Sequence, residues 1–297
     1  MAPVIDDIRD LPQRLPASCR PMPLPTRVLM CPPQYFDVID VKNPHMAGHV
    51  GRVDRPAADR QWQGVRATFE HCAVGVELIE PLEGCEDMVF CANQTFVGLD
   101  PAGRPVCVLS NMKHASRQRE VPAFKRWFRS AGYRIERLTE DVRFEGGGDA
   151  IWHPGHGLIW GGYGRRSEPA AYERLSEIFD APVIRLRLLS ERFYHLDTCF
   201  CPLDERTVLV NPRSLEPRGL ELIRAVFERV IESPPEEADC GLACNATAIG
   251  GRRVLIQSGN PRTLARLRAC GYEVHEVDTS EFLKSGGSVY CMKLALF

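Results

Sequence analysis

At 297 residues, with 26% charged and 44% hydrophobic side chains, the chain carries enough apolar material for a large buried core. A formal charge of −2 provides no bulk field for nucleic acid or an anionic membrane surface, and no apolar run approaches the roughly 18 residues of a membrane span. Twelve cysteines in a chain of this size fit a reducing cytoplasm better than a disulfide framework, which leaves any one of them available as a nucleophile.

Residues 1–26 are rich in Pro, with Arg and Asp where a signal peptide would be apolar, and read as an extended N-terminal arm. From residue 27 to 297 the pattern is that of a single α/β domain. Arg27–Cys31 is a short apolar strand, residues 56–73 a helix, and Gly75–Ile79 the strand after it. Met88–Ala92 reads as a strand running into Asn93, followed by Pro105–Leu109. Phe124, Trp127, Phe128 and Ala131 recur at helical spacing and predict an amphipathic helix over 120–131, stopped by Gly132. Phe144–Trp152 has the apolar ends of a buried strand, but its centre places Glu145 and Asp149 either side of three glycines. Glycines in a strand predict a bulge or a ligand lying close to the backbone.

The remaining elements repeat that order. A helix over 170–179 leads to a strand over 183–189. In Phe193–Thr198, alternation predicts a strand with His195 and Asp197 on one face. Residues 216–232 predict one helix, closed by Pro234-Pro235. Residues 261–270 predict another, with Asn260 as N-cap and Pro261 in first position, followed by Gly271 and a strand over 272–275. Finally, the glycine-rich Lys284–Ser288 loop delivers Cys291 into a last apolar strand. Helix followed by strands thus occurs five times at intervals of roughly 40–60 residues, the mark of one unit stacked on copies of itself. Such units can close into a ring. A doubly wound sheet is the alternative, but no glycine-rich dinucleotide turn follows a strand.

The chemical inventory is a Cys, a His and several carboxylates. Cys199 and Cys201 lack the second Cys/His pair of a zinc site, and Cys240–Cys244 is too widely spaced for a redox motif. Each piece has a plain alternative: an exposed acidic turn, a hydrogen-bonded histidine, an inert core thiol. Carboxylates grouped with a thiol argue for a cationic substrate, since they would repel a phosphate. A thiol facing His195 and a cation would be partly ionised and nucleophilic.

Three segments, Phe144-Glu-Gly-Gly-Gly-Asp149, His195-Leu-Asp-Thr198 and Gly286-Gly-Ser-Val-Tyr-Cys291, resemble in order the active-site motifs of the guanidine-modifying (pentein, or amidinotransferase) superfamily. The resemblance implies a five-bladed α/β propeller and cysteine-dependent hydrolysis of arginine-type guanidines, without cofactor or metal. Leu29–Asp37 and Asn43-Pro44 most resemble the arginine dihydrolase branch. By that resemblance Cys291 is the nucleophile, His195 the general acid/base, and Glu145 and Asp197 hold the guanidinium. Arg117 would meet the substrate carboxylate with help from Asn43, and Asp149 and Ser285 would give support. Deiminases and dimethylargininases carry Asp where this chain has Asn93, which the dihydrolase branch shares. The resemblance therefore implies arginine dihydrolase first, with dimethylargininase or arginine deiminase as the enzymatic alternative. A non-catalytic binding protein of the same fold is the alternative of another class. The expected partner is a small guanidino compound in the cytoplasm; neither nucleic acid nor membrane is expected, and a homo-oligomer is allowed.

Overall fold

The computed structural model describes residues 2–297, and among these the strands form five separate sheets. Each sheet repeats one unit: a strand, an antiparallel partner, a helical crossover, and a third strand parallel to the second. The second unit illustrates it. Thr95–Leu99 pairs antiparallel with Pro105–Leu109, the helix Val121–Ser130 crosses over, and Arg134–Arg137 returns parallel to Pro105–Leu109. Phe124 and Phe128 bury the inner face of that helix, and Gly132, at φ 84°, reverses the chain in the left-handed region open to glycine.

The same order holds for Ala150–Trp152, Ile159–Tyr163 and Val183–Arg187, then for Phe200–Pro202, Thr207–Val210 and Arg229–Glu232. It holds again for Thr247–Ile249, Arg253–Gln257 and Glu273–Val277. The remaining sheet is assembled from distant segments: Leu294–Leu296 lies antiparallel to Arg27–Met30, which pairs parallel with Gly75–Leu78 across the helix Arg55–His71. Asp54 caps that helix by accepting from Ala57 N.

Several expectations need correction. The helix foreseen over 216–232 ends at Val226, and Arg229–Glu232 is a strand, so Val230 and Ile231 belong to a sheet. Both segments are apolar and no glycine or proline separates them, which is why periodicity ran them together. Met88–Ala92 is a series of turns rather than a strand. Asn260 does not cap its helix through its side chain; it donates instead to Gln257 O and Gly241 O. Within the first 26 residues, Val4–Ile5 forms a fourth strand parallel to Val183–Arg187, with Ile5 fully buried.

Candidate active site

In every unit the residue types with chemical potential fall at one place, the loop entering the first strand. Asn93 precedes Thr95–Leu99, and Glu145–Asp149 precedes Ala150–Trp152. His195–Thr198 precedes Phe200–Pro202, Asn245 precedes Thr247–Ile249, and Cys291 precedes Leu294–Leu296. The repeat therefore supplies one loop per unit, and these loops converge.

The glycine triplet is not a strand bulge. Gly146–Asp149 is a single helical turn with Glu145 ahead of it. Gly146 has φ 55°, and a Cβ there would lie 2.6 Å from Asn93 O; one on Gly148 would overlap Asn93 Nδ2 and sit 3.2 Å from His195 Nδ1. The glycines are needed to make room for the protein's own groups. His195 and Asp197 are likewise not on a strand. His195 opens a 3-10 turn, Leu196–Thr198, and Leu196 N donates to Asp149 Oδ1 at 3.0 Å, tying the two loops together.

Fully buried Glu145 lies 2.7 Å from His195 Nε2 and also accepts from Arg166 Nη1 at 3.0 Å and from Lys113 N at 2.9 Å. Burial alone would raise its pKa, but Arg166 and the His195 hydrogen bond outweigh that and hold the carboxyl below its usual range. An ionised carboxylate only accepts, so Nε2 carries the imidazole proton and Nδ1 faces Asn93 Nδ2 at 3.4 Å. Burial pushes the His195 pKa down to about 4 despite Glu145, so the ring is neutral and basic at neutral pH. Asp149 accepts from Ser167 Oγ at 2.6 Å, and burial raises its pKa well above the usual value.

On the other side of the Leu196–Thr198 turn, Cys291 Sγ lies 3.0 Å from Asp197 Oδ2. Asp197 Oδ1 is buried without a hydrogen-bond partner. Burial lifts the Asp197 pKa to about 7, and burial and Asp197 together lift that of the thiol, so the sulfur holds its proton at neutral pH. Asn245, which the sequence analysis did not single out, clasps this pair: its Nδ2 donates to Cys291 Sγ at 3.1 Å and to Asp197 O at 3.0 Å, and its Oδ1 accepts from Ser288 N at 2.9 Å. Its place at the fifth entry loop is the signal that could have found it.

Arg117 does not stand free to meet a carboxylate. It is 5% exposed, bonds Glu120, Asp87 O and Phe90 O, and donates to Asn93 Oδ1 at 2.8 Å. Another guanidinium is as little exposed but lines a cavity. Arg166 stacks 4.6 Å from the Tyr194 ring centroid and donates to Lys42 O, in a cavity of about 390 Å³ that Asn43, Lys113 and Arg165 also line. Asn43 donates to Ser285 O at 3.0 Å, and Ser285 Oγ donates to Asp87 Oδ1 at 3.3 Å, so these two residues close the loops above the site. Cys199 and Cys201 pack into two different core clusters.

A buried thiol, a neutral histidine hydrogen-bonded to a carboxylate, and a partnerless carboxylate oxygen are thus gathered at one end of a repeated α/β unit. A profile for eukaryotic N,N-dimethylarginine dimethylhydrolases matches residues 52–297, and the chain belongs to that family. It is 34% identical over 284 residues to the N(G),N(G)-dimethylarginine dimethylaminohydrolase of Mycobacterium tuberculosis, covering 95% of this chain and 90% of that one. It is 40% identical over 278 residues to the bifunctional arginine dihydrolase/ornithine cyclodeaminase ArgZ of Synechocystis, covering 90% of this chain but only 37% of the relative. The crystal structure of the N-terminal domain of ArgZ bound to substrate, an arginine dihydrolase, matches with a TM-score of 0.86 at 36% identity, over 91% of this chain and 97% of that one. No helix of the described residues is long and apolar enough to cross a membrane.

Proposed function

We propose that the chain is an arginine dihydrolase, converting arginine and two waters to ornithine, two ammonia and carbon dioxide. The observation that carries this reading is Asn93, an uncharged amide fixed by Arg117 against the catalytic imidazole. The similarity to ArgZ over most of this chain supports it.

The guanidinium seats on Asp197 Oδ1 and shields Asp197 from Cys291. That cation stabilises the thiolate, which the free enzyme does not hold. Sulfur attacks the guanidinium carbon, His195 Nδ1 shuttles the proton to the departing nitrogen, and ammonia leaves an amidino-thioether on Cys291. Water attacks this adduct with His195 as base. Expulsion of Cys291 at that stage would give citrulline; expulsion of a second ammonia leaves a thiocarbamate, whose hydrolysis releases the carbamate of ornithine and then carbon dioxide. Asn93 NH₂ is the donor that can retain the oxygen-bearing intermediate, whereas an Asp would repel it.

The substrate carboxylate meets Arg166 and Lys113 in the outer cavity, while Arg117 orients Asn93. Entry requires the Asn43–Ser285 contact to give way, since Cys291 is only 2% exposed. The five repeated sheets support closure into a five-bladed propeller, its catalytic domain spanning residues 27–297 with Val4–Ile5 added to one sheet, and the setting proposed is cytoplasmic. Counting ammonia, citrulline and ornithine from arginine and from dimethylarginine tests the assignment. Two ammonia per ornithine is expected. Citrulline as sole product, with faster turnover of dimethylarginine, would make it a dimethylargininase instead.

A further inference from the structure

Beside the catalytic loops, with Ala92, Gly147 and Tyr290 in its wall, lies a second cavity of about 130 Å³. Its walls are apolar, with Phe96, Trp152, Leu203 and Leu294 among them, and Leu24, 41% exposed, stands at its edge. Polar side chains interrupt that lining, Lys293 and Thr247 among them. Lys293 is 5% exposed and rests its ammonium 3.4 Å from the Tyr290 ring centroid, yet makes no ion pair or side-chain hydrogen bond among the described residues. Thr247 Oγ1 is buried and also lacks a partner.

Lys293 lines the chamber without a protein acceptor, so an anion bound there would supply one. Burial lowers the Lys293 pKa to about 8 while Cys201, Asp197 and Cys291 pull it back up, so it remains mostly cationic at neutral pH. Its charge reaches the thiol site: burial raises the Asp197 pKa, and Lys293 is among the groups that pull it back down. An apolar chamber of this size is comparable to cavities that admit a benzene-sized molecule.

We infer that this chamber is a binding site for a small monocarboxylate bearing an apolar group, with the carboxylate on Lys293 and Thr247 and the apolar part against Trp152 and Phe96. A charge-assisted hydrogen bond to a desolvated ammonium would select the anion over a neutral molecule of the same shape. The site is separate from the thiol, so arginine and the carboxylate bind together.

Benzoate titrated calorimetrically into the full-length Cys291→Ala protein saturated with arginine is the test, with benzyl alcohol as the neutral isostere. Saturable binding of benzoate at least tenfold tighter than the alcohol is expected, lost by more than tenfold in Lys293→Met and weakened several-fold in Thr247→Val. If Lys293→Met fails to fold, the wild-type preference for benzoate and the Thr247→Val loss still decide. Equal binding of acid and alcohol, displacement of benzoate by arginine, indifference to both substitutions, or no saturable binding would each overturn the assignment.

Discussion

Asn93 lies between a guanidinium and an imidazole, and both contacts constrain what it does. Arg117 takes its oxygen, so its NH₂ faces His195. Asn93→Asp should shift products from ornithine with two ammonia toward citrulline with one; an unchanged ratio in an active variant would end this account of the branch. Arg117→Ala should then lower kcat/KM equally for arginine and for a guanidine lacking a carboxylate. Arg166→Ala should cost arginine more, by about 1.5–3 kcal/mol for a lost charge-assisted contact. The reverse pattern would return the carboxylate to Arg117. Cys291→Ser should abolish turnover while Cys199→Ser and Cys201→Ser retain it, checked by single-turnover assays; equal losses would point to a shared metal. At this scale Cys291, His195, Glu145 and Asp197 were legible because such side chains are unusual in a core, and the structure pairs His195 with Glu145 and Cys291 with Asp197. Arg166 and Asn245 were not, since an arginine after a glycine turn and an asparagine before a strand are common in any protein.

The single turn Gly146–Asp149 shows what an element contributes. Three glycines in a row gave a correct signal of crowding, and the neighbours seen are Asn93 and His195. Gly148→Ala should therefore displace the Asn93 amide and impair catalysis by more than tenfold, while Gly64→Ala, whose Cβ would meet nothing within 4 Å, should leave activity intact. Full activity in Gly148→Ala would mean the turn has slack that the described geometry denies. Helix starts and stops were readable where punctuation is chemical, as at Gly132 and Gly271, both with positive φ. They were unreadable where an apolar helix runs into an apolar strand, as beyond Val226, because burial on both sides erases the period.

Across the whole molecule, three buried histidines stay neutral: burial holds the pKa values of His45, His153 and His195 at about 4. Unfolded histidine takes its proton near 6.5, so between about pH 6.5 and 4 these groups make the unfolded state the larger proton binder, and their contribution to stability falls as pH drops. Asp197, raised to about 7, acts in the opposite direction above the ordinary carboxylate value, so a difference measurement is needed. His153 is remote from the thiol, accepting from Trp160 Nε1 at 3.2 Å and contacting Glu205 O at 3.0 Å. Chemical denaturation of His153→Phe should show a pH dependence shallower than wild type by about 3 kcal/mol over that window. Identical slopes would mean His153 is already charged when folded. One further property follows from the sheet that joins Leu294–Leu296 to Arg27–Met30. Closing so long a loop is entropically costly and slow unless the units between have folded first. Cys291 sits just before that last strand, so during refolding its protection from thiol reagents is a clock for this one long-range pairing, and on the proposed mechanism turnover returns no earlier than that step.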